Sequence, residues 1–263
     1  MPELPDVEIF KEYLDATSLH KTIQDMDVDD KRVLEGISIR GLKRTLIEKK
    51  LHHSRRHGKY LLANLESRKW LVFHFGMTGF LKYYKNKKVR PNHARVLLSF
   101  TNGYHLAYVS QRMLGEVALF NGDLDHFITK KNLGPDAGEM GWDEFKRTLK
   151  SRKGNAKSTL MKQELIAGLG NIYTDEILYQ ARVHPKSKVA DLKERQLKSL
   201  FNTMKEVLKT AIECRADPTK FPSSYLLPRR EEKGKCPRSH GKLSRIKVNS
   251  RTTYFCPECQ SDA

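Results

Sequence analysis

No apolar run in the 263-residue sequence approaches the roughly 18 residues that a helix needs to cross a bilayer, so a membrane partner is not expected. A secretory leader is missing too: the opening Met-Pro-Glu-Leu-Pro-Asp-Val-Glu is acidic and has no hydrophobic stretch, which points to an intracellular protein. Cysteine is scarce, with Cys214 alone and Cys236, Cys256 and Cys259 gathered near the end. In a long chain read as unsecreted, such a cluster argues for metal rather than disulfides. Internal repeats and low-complexity tracts are absent. Acidic side chains are also in short supply, 31 against 49 lysines and arginines, for a formal net charge of +18. That excess favours a polyanionic partner, since each cation set against a phosphate releases condensed counterions. A ribosome-associated or merely basic protein is the alternative on charge alone.

The length suits two modest domains with a real core. Val7, Phe10 and Leu14 fall at helical spacing and predict a short helix after the Pro-rich start. From about Ile37 to Phe120 the texture is that of strands, at 60–65, 70–75, 95–100, 104–109 and 116–120. Asn102-Gly103 between two of these runs predicts a hairpin. The first half therefore reads as a β-rich domain, a sandwich. From Trp142 the pattern turns helical: Trp142, Phe145 and Leu149 share a face, and a second segment runs over 159–166. Gly168-Leu169-Gly170-Asn171 breaks the chain before a helix over 172–180, and the longest helix spans about 192–214. Leu197, Leu200, Phe201, Met204, Leu208 and Ile212 form its buried stripe, and Asp191 with Glu194 resembles a capping pair. After Asp217 the chain is rich in Lys, Arg and Pro and too poor in apolar residues to fold by burial alone.

Cysteine chemistry supplies what that segment lacks. Cys236, His240, Cys256 and Cys259 read C-x3-H-x15-C-x2-C, a four-ligand set of the kind that tetrahedral structural zinc favours. Metal binding would provide the folding free energy. The other reading leaves His240 as a solvated loop residue beside three clustered cysteines. Cys214, on the long helix, reads as a core thiol.

Five separated motifs then occur in order: Pro2-Glu3-Leu4-Pro5-Asp6-Val7-Glu8; Arg55 to Leu62 with Lys59; His74-Phe75-Gly76-Met77-Thr78-Gly79; Gly168-Leu169-Gly170-Asn171-Ile172-Tyr173; and the terminal finger, with Arg251 five residues before Cys256. The ordered set resembles the formamidopyrimidine-DNA glycosylase and endonuclease VIII family of bifunctional base-excision repair enzymes, over the whole length. The resemblance implies an α+β fold: an N-terminal catalytic β-sandwich flanked by helices (1–135), a helix–two-turn–helix part (136–216), and a linker with a zinc finger (217–263). It also implies a monomer acting on damaged double-stranded DNA, with one structural Zn2+.

In that family the N-terminal proline is the nucleophile. Removal of Met1 would expose the Pro2 amine, and an α-amino group with a pKa of about 7.7–8.0 is partly unprotonated near neutrality. It could attack C1′ and form an iminium, the strategy of Schiff-base lysines. Glu3 would be the acid that protonates the sugar oxygen or the departing base. Lys59 matches the lysine of β-elimination, and Arg251 would serve phosphate binding and δ-elimination. Asn171 completes the phosphate clamp, His74 and Lys157 would touch further phosphates, and His93 and Arg112 match DNA-contacting positions. Met77 fits the wedge that fills the hole left by a flipped base. Asp6, where most relatives carry Glu, and Glu176 would be accessory carboxylates.

The sequence departs from the family in three places. Met113 and Leu114 replace an Arg and an aromatic in the wedge's partner loop. Ser239 stands at the usual second-cysteine position, one residue before His240. The stretch from Ala216 to Lys235 looks shorter than the loop that closes over 8-oxoguanine in relatives, which implies poor excision of that base. A non-catalytic DNA-binding zinc protein and a ribosomal zinc protein are the competing readings. Neither requires an N-terminal amine.

Overall fold

The computed structural model of the chain describes residues 1–150 and 152–260. They form two compact units, one of Met1–Pro2 with Asp6–Lys131, the other of Glu3–Pro5 with the chain from Asn132 onward. Among the described residues no helix is long and apolar enough to cross a membrane.

The first unit is the expected sandwich. Its strands are β1 (Ile23–Val28), β2 (Leu34–Glu35), β3 (Ser54–His57), β4 (Tyr60–Glu66), β5 (Lys69–His74), β6 (Phe80–Tyr84), β7 (Ala94–Phe100), β8 (His105–Val109) and β9 (Glu116–Asn121). They make a four-stranded sheet in the order β1-β7-β8-β6 and a five-stranded sheet in the order β2-β9-β5-β4-β3. One apolar cluster draws on both sheets: Met26, Leu81, Val96, Leu98, Leu106 and Tyr108 from the first, Leu61, Leu71, Phe73 and Val117 from the second. Helices α1 (Leu4–Ser18) and α2 (Ile39–Leu46) cover it through Val7, Leu14, Leu42 and Leu46. Helix α3 (Leu124–Lys130) follows β9. The Asn102-Gly103 turn joins β7 to β8 as predicted, with Gly103 at φ +79. Strand β1 escaped the sequence reading because it is an edge strand burying only Ile23, Met26 and the flank of Val28, its other positions carrying exposed or half-buried polar groups.

The second unit holds α4 (Trp142–Lys150), α5 (Ala156–Leu160), α6 (Asn171–Gln180), α7 (Glu194–Glu213) and the hairpin β10 (Ser244–Val248) and β11 (Arg251–Phe255). Helix α6 is buried at every position from Tyr173 to Tyr179, so it is the axis of the unit. Two expectations fail locally. The predicted helix over 159–166 ends at Leu160, because Gln163 turns back to hold the chain: its Nε2 donates to Leu169 O at 2.7 Å and its Oε1 accepts from Gly168 N at 3.1 Å. Helix α7 is capped by Gln196, whose Oε1 accepts the Lys193 N–H at 2.9 Å, rather than by Asp191, which lies in a separate 3-10 turn. The stripe of α7 is buried as read, with Phe201 and Ile212 only partly covered.

The finger does not stand apart. The expected boundary at 216/217 has no counterpart in the compact units, because β11 packs on α6 and Tyr179, Leu226, Cys236, Leu243 and Cys256 form one apolar cluster.

Candidate active site and metal centre

In the first unit, Lys59 occupies the two-residue turn between β3 and β4, where Gly58 takes φ +55. One register step along, Tyr60 pairs with His74 across β4 and β5, their rings 4.8 Å apart. Burial, then the charges of Lys59 and Lys131, push the His74 imidazole down to a pKa of about 4. At neutral pH His74 is therefore an uncharged hydrogen-bonding ring, suited to donate an N–H to a phosphate but not to pair with it as a cation. Pro2 is half-buried, and Asp6 lies half-buried in the first turn of α1.

The turn after β5 and the loop before β9 are fitted backbone to backbone. Gly76 (φ +58) admits the contact, since a Cβ there would lie 2.4 Å from the carbonyl carbon of Leu114. Thr78 Oγ1 accepts the Arg112 N–H at 3.3 Å. Together the two loops present Met77 (39% exposed), Leu114 (54% exposed) and Arg112 to solvent. Met113 takes φ +49 and packs, partly buried, against the sandwich core. His93 is exposed at φ +62, its Nδ1 3.2 Å from Arg95 Nη2.

In the second unit Glu3 and Leu4 of the first sequence motif dock on the fourth. Glu3 is 1% exposed. Its carboxylate accepts N–H bonds from Gly170 (2.8 Å), Ile172 (2.8 Å) and Tyr173 (3.2 Å), at the N-terminus of α6. Leu4 N–H closes the contact on Gly168 O at 3.0 Å. Gly170 is required here, since a Cβ would lie 2.4 Å from Glu3 Cδ. The anion that this glycine-rich turn receives is Glu3, which suits the positive end of a helix dipole. Asn171 Oδ1, in the same turn, is buried and makes no hydrogen bond, as does Thr174 Oγ1 one turn on.

Lys157 corrects an expectation. It is 0% exposed and cannot touch a phosphate as placed. Its Nζ bonds Asp175 Oδ1 at 2.6 Å, Thr253 Oγ1 at 2.7 Å and Thr252 O at 3.3 Å. Burial lowers its pKa against the opposing pull of Asp175. Asp175 also receives Arg230 Nη2 at 2.7 Å and Tyr254 N–H at 3.1 Å. This ionic hub ties α5, α6, the 230 segment and β11 together, and so holds the strand that Arg251 opens. The sequence reading missed Asp175; the available signal was a pair of adjacent acids inside an otherwise apolar helix.

Glu176, the other acid, is engaged structurally. Gln180 Nε2 (2.7 Å), Leu226 N (3.2 Å) and Leu227 N (2.6 Å) all donate to it, and burial pushes its pKa up to about 7. The stretch from Ala216 to Lys235 is thereby pinned, with Phe221 and Tyr225 stacked at 5.6 Å in the helical core.

Arg251 is exposed beside the Asn249–Ser250 turn, whose two residues take φ +45 and +63 as a tight hairpin demands. At the base of that hairpin Cys236, Cys256 and Cys259 converge, their sulfurs all within 4.8 Å of one another, a set that can hold a metal ion. His240, expected as the fourth ligand, is outside the group: it sits at φ +59 with its side chain exposed. Its backbone N–H closes the turn on Cys236 O at 2.9 Å, and this leaves Ser239 facing the sulfurs instead. Tyr179 OH lies 3.3 Å from Cys236 Sγ, anchoring the finger to α6. Cys214 is half-buried, its thiol 3.2 Å from Lys220 O.

Comparison with known proteins bears directly on this arrangement. Residues 133–223 match the model of the formamidopyrimidine-DNA glycosylase H2TH domain, which defines the class of the helical unit. Residues 1–117 match the formamidopyrimidine-DNA glycosylase N-terminal domain. The chain is 33% identical to formamidopyrimidine-DNA glycosylase of Pelotomaculum thermopropionicum, over 99% of both proteins, and 32% identical to that of Arabidopsis thaliana, over 99% of this chain and 71% of the plant protein. It superposes on Lactococcus lactis Fpg (MutM) in complex with N7-benzyl-Fapy-dG DNA with a TM-score of 0.89, at 28% identity, over 99% of this chain and 100% of the other. A complex of the same lactococcal enzyme with abasic-site DNA gives 0.88 at 27% identity, with the same coverage. The chain belongs to the formamidopyrimidine-DNA glycosylase family, the DNA glycosylases of base-excision repair.

Proposed function

We propose that this protein excises oxidised bases from duplex DNA and then cleaves the abasic strand by β,δ-elimination, with the amine of Pro2 as nucleophile. The observation that carries the reading is the docking of Glu3 on the first turn of α6. It fixes the peptide neighbour of Pro2 beside Asn171, and a pure DNA binder has no use for that arrangement.

The unprotonated amine attacks C1′; the bond from C1′ to the base breaks and the base leaves with a proton, and once the nitrogen has lost its own proton the C1′–O4′ bond opens with protonation of O4′. The resulting iminium acidifies the C2′ hydrogen, whose loss expels the 3′ phosphate, and a second elimination expels the 5′ phosphate before water frees the proline. Three backbone N–H groups donate to the Glu3 carboxyl, a setting that favours the carboxylate. Glu3 therefore serves as acid after first taking the proton of the Pro2 ammonium, which also generates the nucleophile. Lys59 at its hairpin tip assists the elimination. Asn171, through its side-chain amide N–H, and Arg251 hold phosphates, and His74 adds a neutral donor. Met77, Arg112 and Leu114 enter the base stack, and His93 contacts the backbone. Asp6 and Glu176 assist through charge and packing. Zinc bound by the three cysteines would fold the hairpin that carries Arg251.

Borohydride is expected to trap the protein on DNA containing an abasic site. Pro2→Gly should lose trapping while retaining most DNA affinity, and mass spectrometry should show Met1 removed in the trapped species. Strand cleavage by Pro2→Gly at the unaltered rate would defeat the assignment.

A further inference from the structure

The two turns that carry the finger's cysteines repeat one another. Cys236-Pro237-Arg238-Ser239 is followed by His240, whose N–H donates to Cys236 O at 2.9 Å. Cys256-Pro257-Glu258-Cys259 is followed by Gln260, whose N–H donates to Cys256 O at 3.0 Å. In this correspondence Ser239 is the counterpart of Cys259, and His240 is the counterpart of Gln260, whose side-chain amide is spent on backbone, accepting the Cys256 N–H and donating to Val183 O, both at 2.9 Å.

The distances agree with that symmetry. A tetrahedral ion with bonds of about 2.3 Å to sulfur separates two sulfurs by about 3.8 Å, and one oxygen ligand at about 2.1 Å lies about 3.6 Å from each sulfur. Cys236 Sγ and Cys259 Sγ are 3.7 Å apart, and Ser239 Oγ is 3.4 Å from Cys256 Sγ. Around Cys236 Sγ the N–H groups of Arg238 and Ser239 both approach to 3.4 Å, the donors that stabilise a metal-bound thiolate.

We propose that the metal is held by three thiolates, with the fourth corner given to oxygen, from the Ser239 hydroxyl or a water it holds, and that His240 is not a ligand. This rests on the zinc reading above. It makes the finger an exchange-labile site, because a neutral oxygen is a weaker and more replaceable ligand for zinc than a fourth thiolate. The hairpin presenting Arg251 then responds to zinc supply in a way a four-thiolate finger would not.

The test uses the full-length reduced protein loaded with Co2+ or Zn2+. Wild type and His240→Ala should give the same thiolate-to-cobalt charge-transfer spectrum and the same rate of zinc transfer to a chromogenic chelator. Ser239→Cys should raise the charge-transfer absorption by about one third, the step from three thiolates to four, and slow zinc transfer several-fold. Ser239→Ala should still load one ion per chain and release it faster than wild type. A shifted cobalt spectrum or lost metal in His240→Ala, or no change in Ser239→Cys, overturns the ligand assignment. Failure of the reduced wild type to take up either ion overturns the zinc reading itself.

Discussion

The two units solve the problem of a buried core differently. Among the described residues, the sandwich buries no Asp, Glu, Lys or Arg to the level of its apolar core, whereas the helical unit buries Glu3, Asp136, Lys157, Asp175 and Glu176. The sandwich is held mainly by alternating side chains between two sheets, and ionic contacts such as Arg56 to Glu8 at 2.6 Å and Lys131 to Glu116 at 2.9 Å join partly exposed carboxylates around that core. The helical unit has irregular segments running against α6, and their orphan N–H groups must be satisfied somewhere. Buried carboxylates do it: Glu3 for the first turn of α6, Glu176 for the 226–227 turn, Asp175 for the hairpin. The lesson is that the N-terminal stretch is positioned by charge, while the surface that presents Met77 and Leu114 is positioned by packing.

The sharpest break of this contrast is Asp175→Ala. Stranding Lys157 without its partner should destabilise the helical unit by about 3–5 kcal/mol. Trp70 lies in the sandwich and Trp142 in the helical unit, so the Trp70→Phe and Trp142→Phe backgrounds report the units separately. The transition reported by Trp142 should fall and that reported by Trp70 should stay. Equal shifts of both would erase the distinction.

Next comes pH. With its pKa pushed from 4.5 to about 7 in the fold, Glu176 retains a proton that the unfolded chain has already released. Its contribution to stability is therefore full below 4.5 and is lost as pH rises toward 7, by about 3 kcal/mol. His74 has the opposite sign: with its pKa down from 6.5 to about 4, it costs the sandwich stability as pH falls through that range. Denaturation of each unit across pH 4–8 should give opposed slopes, and Glu176→Gln should flatten only the slope of the helical unit.

Glu3→Gln tests whether the N-terminal anchor is also structural. Loss of charge-assisted bonds to α6 should cost about 1–3 kcal/mol in the Trp142 transition, together with loss of base excision. Full stability with lost activity would reduce Glu3 to chemistry alone.

The smallest expected effect is one of base preference. The 216–235 stretch is pinned by Glu176 and by the stacked Phe221 and Tyr225, which leaves few backbone donors to read an oxidised purine. Single-turnover excision of thymine glycol, dihydrouracil, formamidopyrimidines or hydantoins should exceed that of 8-oxoguanine. Fastest removal of 8-oxoguanine opposite cytosine would show that a pinned stretch does not limit purine recognition.

Sequence alone determined the parts that depend on local pattern. Strand texture marked β4, β5, β7, β8 and β9, helical spacing marked α1, α4 and α7, and the C-x3-H-x15-C-x2-C spacing marked the three clustered cysteines together with His240. Motif order marked the family. Tertiary structure decided whatever depended on which distant group fills a position. Lys157 reads as a surface cation until Asp175 and Thr253 enclose it. Gly170 reads as a chain break before a helix until Glu3 arrives from 167 residues away. His240 reads as a better ligand than Ser239 until the turn geometry directs the serine inward. In each case residue type sets what a side chain can bind, and only the fold sets which partner reaches it and whether water is left to compete.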